Sequence, residues 1–246
     1  MKYKNILLFL LIGFVSFGLS AFQFEPIIQD FTPSGINSGR SFLITNTDSD
    51  PIAVKISMVY RDMDLNGKET LTDASELFFI FPSQLIVQPE SNQIVRVQWL
   101  GNSTVTIEQP FRIIAEQLPI NIDRDQSGVK ILLAYHGSIY VIPDEFSFGI
   151  EVLSVKKNKN EEGEDILQIE LENTGNTHMI LSNPEIKISD SSAVLQKKIF
   201  TLTADELIGL TDQNILAGKK RLFSVPWPDA LSNGNLNATL RVDPVR

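Results

Sequence analysis

Val129-Lys130-Ile131-Leu132-Leu133-Ala134-Tyr135-His136-Gly137-Ser138-Ile139-Tyr140-Val141-Ile142-Pro143 is a long, nearly uncharged run of β-type residues, midway along the chain. A strand of this kind is an aggregation hazard if its edge is free, or else a device for pairing with a strand of another chain. On an extended backbone Val129, Ile131 and Leu133 fall on one side. They can fill an apolar groove elsewhere or pack into the core of their own domain.

On both sides of this run the pattern is short apolar segments separated by Asn, Asp, Gly and Pro. Before it stand residues 41–45, 52–60, 94–99 and 111–116, and after it residues 148–153, 166–173, 222–225 and 238–242. This spacing predicts an all-β chain of two Ig-sized sandwiches. The expected division is residues 22–143 and 144–246, after a leader at residues 1–21. Residues 204–210 have room for a single helical turn.

The leader begins Met1-Lys2-Tyr3-Lys4, continues apolar through residues 6–17, and ends in small residues around Ser20 and Ala21. That order is a cleaved secretory signal, and its apolar part is short for a membrane span. The chain has no cysteine, so no disulfide staples the fold and thiol chemistry is excluded. Its net charge of -9 argues against nucleic acid or an anionic membrane surface as partner. A protein partner is the expectation that remains.

Several motifs then point to a family. The stretch Phe78-Phe79-Ile80-Phe81-Pro82-Ser83-Gln84-Leu85-Ile86-Val87-Gln88-Pro89 leads through a polar turn into Ile94-Val95-Arg96-Val97. Next comes Glu108-Gln109-Pro110-Phe111-Arg112-Ile113-Ile114-Ala115-Glu116-Gln117-Leu118-Pro119, then the run ending at Pro143. Together with Leu171-Glu172-Asn173-Thr174-Gly175-Asn176 and Ala217-Gly218-Lys219-Lys220-Arg221-Leu222-Phe223, this resembles the periplasmic pilus-assembly chaperones of the Pap and Fim type, as a divergent member.

The resemblance implies two Ig-like domains set as a boomerang. It also implies a mechanism: a fimbrial subunit lacks the last strand of its own sandwich, and the chaperone lends one until an outer-membrane usher takes the subunit. The lent residues would be Val129, Ile131 and Leu133, worth about 5 kcal/mol of burial before ordering costs. Such a strand is also open to capping by a second copy of the chain. No cofactor and no catalytic step are implied. The short link between Pro119 and Gly128 resembles the short-loop branch, which serves rod-like pili.

Two departures concern the anchor. The family's Arg and Lys, which grip the subunit's C-terminal carboxylate, align with Gln29 and Ser138. Neutral donors there forgo the charge assistance that roughly doubles such a bond. Lys130 and Arg40 are candidate substitutes, and Ile142 stands where the family has an Arg before the closing Pro.

Asp62, Asp64, Asn66 and Asp73 have the start of a calcium-loop spacing, while Asn66-Gly67 is a strong two-residue hairpin signal. A calcium-dependent binding module and a two-domain Ig-like surface adhesive are therefore alternatives to the chaperone. His136 and His178, the only histidines, lack partners at metal-ligand spacing, so structural roles are expected of them. With no Gly-x-Ser-x-Gly elbow and no thiol, nucleophilic enzyme chemistry has no support.

Overall fold

In this computed structural model residues 22–120, 131–190, 199–229, 231 and 235–245 are described. The first ten strands are β1 (Gln23–Glu25), β2 (Ile28–Phe31), β3 (Gly39–Asn46), β4 (Ile52–Met63), β5 (Glu69–Asp73), β6 (Phe78–Phe81), β7 (Gln84–Val87), β8 (Ser91–Trp99), β9 (Gln109–Leu118) and β10 (Ala134–Val141). They form two sheets, ordered β1-β3-β8-β6 and β2-β10-β9-β4-β5, with β7 also paired to β4. Alternation drives the sandwich: Phe42, Ile44, Val95 and Val97 of one sheet bury against Val54, Ile56, Met58, Phe111, Ile113 and Ile139 of the other. Phe78 meets Phe111 and Trp99 edge-on, with centroids 4.9 and 5.1 Å apart.

The remaining strands are β11 (Ile150–Lys159), β12 (Asp165–Asn173), β13 (Met179–Asp190), β14 (Ile199–Leu202), β15 (Asn214–Ile215), β16 (Lys220–Pro226) and β17 (Leu236–Val245). One sheet is β11-β12-β16, and in the other β13 pairs with β14, β15 and β17. Leu167, Ile169 and Leu171 of β12 and Phe223 and Val225 of β16 bury against Leu181, Ile186 and Ile188 of β13. The fold is thus all-β, with two Ig-like sandwiches.

Most segments expected from alternation appear as strands, with three instructive differences. Residues 148–153 were expected as a strand, but pairing starts at Ile150 and runs to Lys159. β13 was not among the expected strands, and Asn183-Pro184 lies within it. The chain absorbs that pair as a bulge between Ser182 and Glu185, with Asn183 at φ 47°, and the ladder continues. In the run at 129–143, regular pairing covers only Ala134–Val141, and Val129 and Lys130 lie outside the described residues. Residues 204–210 form hydrogen-bonded turns, with Leu207 N donating to Thr203 O at 3.1 Å.

Where the first sandwich meets the second, Met63, Tyr140, Ile142 and Leu216 make a small buried cluster. The β4–β5 hairpin reaches across, and Leu222 N donates to Leu65 O at 2.7 Å. Ile142 therefore serves this joint by apolar packing, in the place where the resemblance has an Arg.

Gly137 fixes how β2 lies on β10. A Cβ there would come within 2.8 Å of Ile113 Cγ2 and 2.9 Å of Ile27 O. Gly137→Ala is expected to cost about 1–3 kcal/mol, the usual result of overpacking. Urea unfolding would measure it, and unchanged stability would mean that β2 does not press on β10.

Candidate functional site

The site is built on β10 and the strands beside it. On one side β10 pairs with β9 along its whole length, Ala134 opposite Glu116 through Val141 opposite Gln109. On the other side β2 pairs in parallel only from Ser138 to Val141. Cover begins where Ser138 N donates to Ile27 O at 2.7 Å. Backbone groups alternate in direction along a strand, so the N–H and C=O of Ala134 and His136 face the same side as those of Ser138. Among the described residues no strand pairs with them there.

Side chains near this open edge are apolar and displayed. Ile131 is 67% exposed and Leu132 42%. Leu133 differs: it is half-buried and packs against the first core with Tyr135, and its carbonyl accepts from Gln117 N at 2.9 Å. The three residues expected to act together are therefore in different settings. Leu133 is tied to its own domain, Ile131 projects, and Val129 lies outside the described residues.

The face of β10 away from the core changes character along its length. Ala134 and His136 are exposed, Ser138 is half-buried, and Tyr140 is buried in the joint. Ser138 thus lies at the mouth of the cleft between the sandwiches, and its partner on β9 is Arg112. Arg112 Nη1 donates to Ser138 Oγ. The same guanidinium grips Glu69 with Nε to Oε2 at 3.1 Å and Nη2 to Oε1 at 2.5 Å. Arg61 Nη2 reaches the same Glu69 Oε1 at 2.8 Å.

Two guanidiniums thus share one carboxylate, which leaves the cluster with one net positive charge. Arg112 is 18% exposed, so it remains within reach of solvent. Partial burial pushes the Glu69 carboxyl up, but the hydrogen bond from Arg112 and the two positive charges outweigh it and hold the group below its ordinary 4.5. A depressed carboxyl stabilises the fold above the unfolded value. That contribution is lost as pH falls through the lower, folded value.

The anchor positions taken from the resemblance are not brought together. Gln29 lies opposite Ile139 in register, on the core-facing side of the sheet from Ser138, and its Nε2 donates to Asp30 O at 3.1 Å. Arg40 Nε donates to Asp30 O at 2.8 Å, and Lys130 lies outside the described residues. The cation beside Ser138 is Arg112, a residue to which the sequence pattern assigns no role. Alternation with buried Phe111 and Ile113 marks Arg112 as outward-facing. Only the β9–β10 register reveals its neighbour.

Beyond Ser138 the polar contacts run into the joint. Tyr140 Oη accepts from Arg61 Nη1 at 3.1 Å and from Asn214 Nδ2 at 2.9 Å. The Tyr140 ring stacks on His178 with centroids 3.8 Å apart. His178 Nδ1 lies 2.8 Å from Glu108 Oε1, and Thr177 Oγ1 donates to Glu108 Oε2 at 2.6 Å. His178 thus has the structural role expected of it, with a partner that sequence spacing could not supply. His136 is exposed.

The calcium-spaced residues have other partners. Asp62 pairs with Lys219 Nζ at 2.7 Å, and that ammonium lowers its pKa. Asp64 Oδ1 accepts from Asn66 N and Lys68 N at 2.9 and 2.8 Å, closing a hairpin with Gly67 at φ 86°. Asp73 sits on β5 and accepts from Ser75 Oγ at 2.7 Å. Among the described residues no group of three or more acidic or histidine side chains is placed to hold a metal ion.

No family model and no curated protein matches the chain. Solved structures do. A chain of the CsuC–CsuE chaperone–tip adhesion subunit pre-assembly complex, from archaic chaperone-usher Csu pili of Acinetobacter baumannii, matches with TM-score 0.57 and 16% identity, over 90% of this chain and 98% of that one. The class 5 fimbriae chaperone CfaA matches with TM-score 0.56 and 14% identity, over 91% of this chain and 100% of that one. The Salmonella enterica SafA pilin complex with the SafB chaperone matches with TM-score 0.53 and 12% identity, over 85% of each chain. These neighbours are chaperones of fimbrial assembly, and the chain has their fold.

Proposed function

We propose that this protein is a periplasmic chaperone that holds a fimbrial subunit by lending it the open edge of β10, then passes it to an outer-membrane usher. The half-covered β10 carries this reading. Among the described residues no strand pairs with the outer edge of Ala134 and His136, and Ile131 and Leu132 extend that edge as exposed apolar side chains. A subunit missing a strand offers the complementary ladder and groove, which is recognition by strand addition. Burying Ile131 fully would contribute about 1.5–3 kcal/mol. The role is one of binding, without a chemical step.

The cleft supplies the anchor. Arg112, held in place by Glu69 and by the Ser138 hydroxyl, presents a guanidinium at the foot of the lent edge. A subunit strand running parallel to β10 would end with its C-terminal carboxylate there, in the geometry that guanidiniums bind well. Arg112 and Ser138 would together do what an Arg and a Lys do in the family that the sequence resembles.

Co-expression with a fimbrial subunit encoded beside this protein tests the reading. Ile131→Asp is expected to abolish co-purification of the subunit while far-UV circular dichroism and the unfolding midpoint of the free chain stay unchanged, because Ile131 touches little of its own core. Capture that survives this change would sink the lent-edge reading.

A further inference from the structure

On the second sandwich, away from β10, a groove of about 530 Å³ opens between the end of β16 and the turns at residues 203–211. Leu207 and Leu210 pin those turns into the core, both fully buried, which leaves Ile208 outside at 79% exposure. Leu202 and Val225 form the floor, and Trp227, set between Pro226 and Pro228, forms a wall. Gly209 lets the turn come close to β16, since a Cβ there would already lie 3.2 Å from Ser224 O. An isoleucine held out beside an indole is apolar surface without a partner.

The rim is acidic: Asp205, Glu206 and Asp229 all line the groove. Glu206 is engaged locally, its Oε2 accepting from Thr203 N at 3.0 Å and Thr203 Oγ1 at 3.2 Å. Asp205 and Asp229 form no ion pair among the described residues. The indole is already a cation site on one face, where Lys157 Nζ lies 4.8 Å from the ring centroid while pairing with Asp165 at 2.7 Å.

We infer that this groove docks an extended basic segment of a partner protein, in which an arginine or lysine lays its methylene stem along Trp227 and Ile208 and turns its charge to Asp205 and Asp229. The match is one of charge and of shape. Long basic side chains bury an apolar stem while their heads stay at a polar rim. An acidic segment would meet uncompensated carboxylates, and a purely apolar one would leave them unused.

Two capped peptides test this on the full chain, acetyl-Leu-Arg-Val-Arg-Leu-amide and its counterpart with Glu for each Arg. Indole fluorescence reports binding at Trp227, since Trp99 is 4% exposed and bonded to Asn102 O. The basic peptide is expected to bind and the acidic one not to. Asp205→Asn combined with Asp229→Asn should weaken the basic peptide about tenfold, or about 1.4 kcal/mol. Ile208→Ala, at an exposed site that leaves the core intact, should weaken it as well. Failure of the basic peptide to bind, equal binding of both peptides, or binding unchanged in the double variant would overturn the inference. The last outcome would mean attraction to the overall negative charge alone.

Discussion

Arg112→Ala is expected to reduce capture of a fimbrial subunit by about a hundredfold or more, consistent with the ~3 kcal/mol lost when one partner of a desolvated charge pair is truncated. The free chain should keep its fold, because Glu69 retains Arg61 at 2.8 Å. Arg112→Lys should recover only part of the affinity, since an ammonium cannot grip Glu69 and a client carboxylate with one planar fork. A subunit with an amidated C-terminus separates anchor from edge. It should bind the parent protein weakly and lose nothing more from Arg112→Ala, the signature of two changes acting on one contact. Additive losses would place the carboxylate elsewhere. Capture should also weaken as pH falls through the folded value of Glu69, which lies below 4.5, because Arg112 then loses its clamp.

The second large effect concerns the joint. Glu108→Ala is expected to cost about 3 kcal/mol of stability or more, and to split one thermal unfolding transition into two. Glu108 is 4% exposed and belongs to the first sandwich, while its partners Thr177 and His178 belong to the second. Removing the carboxylate leaves the Thr177 hydroxyl, the His178 N–H and its ring buried with no acceptor. The joint would then rest on apolar packing by Met63, Tyr140, Ile142 and Leu216 and on the contacts of the β4–β5 hairpin with Lys219 and Leu222. Scanning calorimetry would measure the effect. A single transition at an unchanged midpoint would show that the Glu108 contacts do not couple the sandwiches.

Both effects turn on residues that alternation could orient but not pair. In β9 the order Pro110-Phe111-Arg112-Ile113 tells that Arg112 faces away from the core. Its clamp, Glu69, is 43 positions earlier, and Ser138 is 26 positions later. Likewise His178 and Glu108 are 70 apart. Nothing in composition or spacing couples such residues, because each contact depends on which strands become neighbours and in what register. Gln29 illustrates the same limit: the resemblance aligns it and Ser138 with the two anchor positions, yet the parallel register with β10 turns it to the opposite face.

By itself the sequence determined the all-β class, the short strand runs on either side of a long apolar segment, and the absence of thiol chemistry. These follow from side-chain period, turn residues and composition, which are local properties of the chain. The tertiary structure alone decided how much of that apolar segment stays open. The run at residues 129–143 looked like one continuous lendable strand, but β2 covers it from Ser138 and the first core claims Leu133, leaving Ile131 and the edges of Ala134 and His136 displayed. It also decided that the cation beside Ser138 is Arg112. Exposure and pairing are set by the elements that pack against a strand, and those come from distant parts of the sequence.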